Sequence, residues 1–209
     1  MNNAEHRNPR PALDQPELWH RTLCPVTEQL LLCGDLAPGA AARAQLAGWV
    51  EAGVTHILDV RLDEEVGADV EFVATHAPHV TYLRAGVDDS GGARDDDWYD
   101  AGVDAALEAL RDPSAKVVVH CHMGVNRGPS MAFAVLLAAG WEPVPALEAI
   151  RAARPIAAVL YAPDAMTWWL RRNGASNTEI GDAVTAVTVW RWTNPVQTSW
   201  IISRIRRCA

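Results

Sequence analysis

The chain has 209 residues, 49% of them hydrophobic, and a formal charge of −8, which suits one ordinary domain with additional elements. The acidic balance argues against general nucleic-acid binding, and no apolar run reaches the ~18 residues of a membrane span. The polar start, Met1 to Pro9, lacks the apolar centre of a signal peptide, so a cytoplasmic protein with no nucleic-acid or membrane partner is expected.

Residues 1–23 are proline-rich and polar and are expected as a mobile lead-in. Residues 30–33 read as a short strand. Residues 40–52, rich in alanine with Leu46, Trp49 and Val50 on one face, read as a helix ending at Gly53. Residues 54–60 are apolar throughout, as a buried strand is. A short helix is expected within 63–78, a strand over 79–83, a Gly/Asp-rich loop over 86–97 and a helix over 98–110. Residues 116–120 read as the central strand. Helices are expected over 129–139, closed by Gly140, then 144–153, and 164–172, closed by Gly174. Alternating strands and helices predict an α/β domain: a central, mostly parallel sheet flanked by helices.

The tail differs in character. Ser176-Asn177-Thr178-Glu179 spells a capping box, followed by Ile180, Val184, Val187 and Trp190 on one helical face. Asn194-Pro195 is expected to cap a second helix carrying Trp200, Ile201 and Ile205. The charge shifts with it, from −13 over residues 1–150 to +5 over 151–209. These extra C-terminal helices either pack on the main domain or offer a Trp-rich homo-oligomer or partner surface. The expected division is 1–23 lead-in, 24–174 main domain and 175–209 helical extension.

The chemistry concentrates in Val117-Val118-Val119-His120-Cys121-His122-Met123-Gly124-Val125-Asn126-Arg127-Gly128-Pro129-Ser130. A β-branched strand delivers a cysteine into a loop that opens a helix. Backbone N–H groups at such a junction converge on one concavity, and the helix dipole adds positive potential. A thiolate placed there is the reactive species, and a guanidinium such as Arg127 holds two phosphate oxygens at once. Cys24, Cys33, Cys121 and Cys208 show neither metal-ligand spacing nor a disulfide framework, so no metal or cofactor is expected.

His120-Cys121, five residues and Arg127 resemble the active-site signature of the cysteine-based protein tyrosine phosphatases. The wording Met-Gly-Val-Asn-Arg is most similar to the dual-specificity branch. Residues 30–35, 53–60 and the pair Arg154-Pro155 fit the same family, and the resemblance spans about residues 24–173. It implies Cys121 as nucleophile and His122 to Arg127 as the phosphate-binding loop. It also implies a general-acid aspartate about 30 residues upstream: Asp89, with Asp88 the runner-up. Asp95, Asp96 and Asp97 read as a helix-capping cluster. His120 is expected to orient Cys121, Asn126 to brace the loop, and His122 either to contact substrate or to face solvent.

The chain departs from the family at Gly128, where a hydroxyl usually helps the thiolate leave. Either Ser130 substitutes for it or the intermediate turns over slowly. The loop holds no basic residue between Cys121 and Arg127, which disfavours phosphoinositides. The expected partner is a phosphorylated protein, on phosphotyrosine and phosphoserine/threonine. Two other readings stand beside this one: a phosphate-binding pseudophosphatase acting as a docking module, and a rhodanese-like sulfur carrier.

Overall fold

A computed structural model describes residues 15–208 of the chain. Five strands, β1 (Cys24–Pro25), β2 (Leu30–Cys33), β3 (His56–Asp59), β4 (Thr81–Arg84) and β5 (Val117–His120), form one sheet in the order β1-β2-β5-β3-β4. All neighbours are parallel except β1 and β2. This is the predicted mostly parallel sheet. β5 lies at its centre, and its three valines are fully buried, which is why that strand reads as a continuous β-branched run. The sequence did not reveal β1. Its Pro25 cannot donate to a ladder and is tolerated because β1 is an edge.

Among the described residues, ten helices surround the sheet: α1 (Pro16–Trp19), α2 (Ala41–Glu51), α3 (Asp63–Val66), α4 (Asp69–His76), α5 (Asp96–Leu110), α6 (Arg127–Ala138), α7 (Pro143–Ala153), α8 (Ala162–Arg172), α9 (Asn177–Thr193) and α10 (Thr198–Cys208). Strand alternation divides the core in two. Leu31, Cys33, Ile57 and Val118 face α2 and α4, packing on Leu46, Trp49 and Val73. Leu30, Leu32, Leu58, Val117 and Val119 face the larger helical layer. α6 is at the centre of that layer, with every residue from Arg127 to Leu137 buried. A helix apolar all round its circumference belongs in such a place.

Several expectations need correction. The single helix expected within 63–78 is two, broken at Gly67. α6 begins at Arg127 rather than residue 129; proline is tolerated in a first turn, where its missing N–H has no partner to lose. Residues 1–14 of the expected lead-in lie outside the described residues. Its remainder is packed: α1 sits against α10, with Trp19 and His20 buried.

The tail keeps its predicted first helix. Ser176 Oγ accepts from the Glu179 N–H, and Glu179 reaches back to the Ser176 N–H. Val187 and Trp190 pack against the domain. The second helix starts at Thr198, not at Asn194-Pro195. Asn194 instead closes α9 on the Trp190 carbonyl. Ile201 and Ile205 are buried, while Trp200 is 40% exposed. Arg204 ties α10 to Glu17 of α1 at 2.8 Å. Among the described residues no helix is long and apolar enough to cross a membrane.

Candidate active site

β5 ends at His120 and α6 begins at Arg127, so residues 121–126 form a loop at the carboxyl end of the central strand, where parallel sheets open to ligands. The loop turns at Gly124, whose φ is +62°. A Cβ there would lie 2.6 Å from the Cys33 carbonyl oxygen and would collide with Arg154, so glycine is required. Arg154 is fully buried. Its Nε donates to the Gly124 carbonyl at 2.6 Å and its Nη2 to those of Met123 and His20 at 3.0 Å. Loop carbonyls are thus drawn outward onto a buried cation. The N–H groups of His122 to Asn126 have no acceptor among the described residues. Unpaired N–H groups in such a curl make a cradle for an anion.

Cys121, 3% exposed, lies in a cleft of about 340 Å³ that Asp89, Met123, Val125, Asn126 and Arg127 also line. A larger cavity of about 570 Å³ lies between α7 and α10 and holds no nucleophile. Arg127 is 4% exposed. Its two terminal nitrogens grip Glu65 at 2.5 and 2.8 Å, and Nη1 also donates to the Val87 carbonyl at 2.9 Å. Its Nε is buried and has no hydrogen-bond partner among the described residues. The ion pair with Arg127 holds the Glu65 carboxyl below its usual range. Sequence reasoning passed over Glu65, one of three consecutive acidic residues after β3 in a stretch that reads as a solvated helix start.

The two candidate acids separate cleanly. Asp89 Oδ1 accepts from Asn126 Nδ2 at 2.7 Å and from the Tyr161 hydroxyl at 2.8 Å, while Oδ2 stands 3.7 Å from Arg127 Nε. Asp88 is turned aside. It accepts from the Ser90 N–H at 2.8 Å and pairs with Arg94 at 3.2 Å. Asn126 braces the loop, since its Oδ1 also accepts from the Leu160 N–H at 2.7 Å. Tyr161, the second anchor of Asp89, was not foreseen.

Two supporting residues make contacts other than the expected ones. Alternation along β5 turns His120 away from Cys121, onto Trp49 and Tyr82. Both its ring nitrogens are buried without a hydrogen-bond partner, and burial keeps its pKa below 6.5. Ser130 is engaged on the far side of the loop's Asn126. Its hydroxyl lies 3.4 Å from Asn126 Oδ1 and accepts from the Tyr161 N–H at 3.3 Å.

His122 lines the cleft with its ring half-exposed and Nδ1 2.6 Å from Asp35 Oδ2. His20, Asp35 and His122 are close enough to share a metal ion. They already satisfy one another: His20 Nε2 lies 3.2 Å from Asp35 and 3.0 Å from the His122 carbonyl, and Arg21 takes Asp35 at 2.9 Å. Burial pushes the Asp35 carboxyl up, but the hydrogen bonds from the two histidines more than reverse this and hold it well below the usual range.

No protein-family model matches the chain, and no curated protein matches it in sequence. Solved structures do. PTPMT1 superposes with a TM-score of 0.58 at 20% identity, over 73% of this chain and 97% of that one. Human DUSP28 gives 0.57 at 21% identity, over 72% and 95%. Tk-PTP in its active form gives 0.55 at 16%, over 79% and 95%. At these identities the likeness is one of fold, and the chain has the α/β fold of the dual-specificity, cysteine-based tyrosine phosphatases.

Proposed function

We propose that the chain is a cysteine-dependent phosphatase acting on phosphomonoesters, with phosphotyrosine and phosphoserine/threonine of proteins as its substrates. The observation that supports this reading is the run of loop N–H groups with no acceptor among the described residues, beside a cleft that Cys121, Asp89 and Arg127 line together. The sulfur attacks phosphorus while the ester P–O bond breaks, and Asp89 gives its proton to the leaving oxygen. Loop amides and Arg127 hold the equatorial oxygens, where charge collects. Water then attacks phosphorus, Asp89 takes its proton, and the S–P bond breaks to release phosphate.

Substrate class rests on narrower support. PTPMT1 has been solved in complex with PI(5)P. In this chain the loop between Cys121 and Arg127 carries no lysine or arginine, and the reading therefore keeps phosphoproteins ahead of inositol lipids.

A docking module that binds phosphate without turning it over is the second reading. It is favoured by Gly128 together with the engagement of the Ser130 hydroxyl elsewhere. The deciding experiment is hydrolysis of a small aryl phosphate by wild type and by Cys121→Ser, without added metal. Turnover that the substitution abolishes is expected. Phosphate binding with no wild-type turnover would move the assignment to the docking module.

A further inference from the structure

α10 supplies a wall of the cleft that the proposed chemistry leaves unused. Thr198, Ile202 and Arg206 border the same space as Cys121 and Arg127. Their spacing of four residues sets them in one stripe along the helix. The adjacent stripe, Ile201 and Ile205, is buried in the core, and Arg204 is committed to Glu17. These contacts fix the rotation of α10 about its axis, so the stripe of Arg206 faces the cleft by construction.

Charge completes the argument. The cleft's acidic groups are already engaged: Glu65 with Arg127, Asp89 with Asn126 and Tyr161. Arg206 has no hydrogen bond or ion pair among the described residues. It is exposed, whereas Arg127 is buried. The cleft thus holds two cations, a deep one for the phosphate and an outer one with no partner among the described residues, with the apolar side chains of Ile202 and Leu160 in the same lining.

Resting on the phosphatase reading, we infer that Arg206 is a specificity-determining residue. It receives a second anionic group, a carboxylate or phosphate, on the same substrate molecule, and Ile202 and Leu160 pack the part between the two charges. A guanidinium suits this task because its fork takes both oxygens of such a group.

The test compares aryl phosphates bearing a carboxylate with the matching carboxamides. A second arm compares phosphotyrosyl peptides with Glu or Gln at each flanking position. Wild type should favour the anionic member by about tenfold in kcat/KM, the size of one charge-assisted contact in a partly desolvated site. Arg206→Ala should erase the preference, Arg206→Lys should restore part of it, and Arg206→Glu should invert it. Arg207→Ala changes the net charge equally, but its guanidinium lies on Ser203 of its own helix, and it should keep the preference. A preference confined to the aryl series supports the inference with a small-molecule source. No preference in wild type, or one that survives Arg206→Ala, overturns it. Absence of any phosphomonoester turnover in wild type is a different result and overturns the phosphatase reading instead.

Discussion

Asp89 and Asp88 are adjacent in sequence, yet their surroundings give them different work. Asp89 is clamped through one oxygen by Asn126 and Tyr161, and its other oxygen, 3.7 Å from Arg127 Nε, is the one that would exchange a proton in the proposed mechanism. Asp88 spends its carboxylate on Ser90 and Arg94. Loss of a general acid matters most when the leaving group is poor, so Asp89→Ala should lower kcat on an alkyl or unactivated aryl phosphate by about 10²–10⁴. An activated nitrophenyl ester should suffer far less. Asp88→Ala should shift both rates together and weakly; a leaving-group-dependent loss in that variant would reverse the assignment. Gly128 tests the second half of the cycle. A Cβ at this position would lie 3.3 Å from the Cys121 nitrogen, so a serine there would stand beside the backbone of the proposed nucleophile. Gly128→Ser should therefore speed breakdown of the phosphoenzyme and lower the ratio of burst to steady-state rate. An unchanged ratio would mean that thiolate departure does not limit turnover.

The loop of residues 121–126 is held by its surroundings more than by its own bonds. Arg154, at the end of α7, gathers the carbonyls of Gly124, Met123, His20 and Thr22. One side chain thereby joins the loop to the segment after α1. Gly124→Ala should break this arrangement by two routes. The left-handed φ costs an alanine about 1–2 kcal/mol, and the new methyl also displaces the Arg154 guanidinium and meets the Cys33 carbonyl. Gly140 supplies the control, because its φ is +86° but a Cβ there would meet nothing within 4 Å. Urea unfolding should place Gly124→Ala well below Gly140→Ala in stability, and only the former should lose phosphate affinity. Equal losses would show that the brace contributes no more than backbone conformation does.

At the scale of the whole molecule, what was legible in the sequence was what lies within a turn or a strand. The valine run of β5, the loop after it and the capping box at Ser176 are local patterns, and each stands where its pattern put it. Glu65 meets Arg127 across 62 residues, and α10 reaches the cleft only because its buried stripe docks on the core. No periodicity encodes either contact. His120 is instructive, since the alternation along β5 that makes the strand legible also turns neighbouring residues to opposite faces. Its position has a consequence for the entire fold. Asp59, Asp35 and Asp69 draw its pKa up, but burial, aided by the charge of Arg61, outweighs them and holds it below 6.5. The folded protein therefore keeps His120 neutral while the unfolded chain binds a proton below that pH. Its stabilising contribution is complete above pH 6.5 and is lost as pH falls toward the folded value, by at most about 1.4 kcal/mol per pH unit. Asp35 and Glu65, both held below their usual range, extend the loss through the carboxylate region below about pH 4. His120→Phe removes two buried nitrogens that have no partner, so it should leave stability at pH 7.5 equal or higher. It should also flatten the slope between pH 6.5 and 5, leaving the acid limb below pH 4 in place. Urea midpoints at pH 7.5, 6 and 5 for the two proteins measure this directly. Parallel lines would mean that Asp59, 3.9 Å away, keeps the folded imidazole charged.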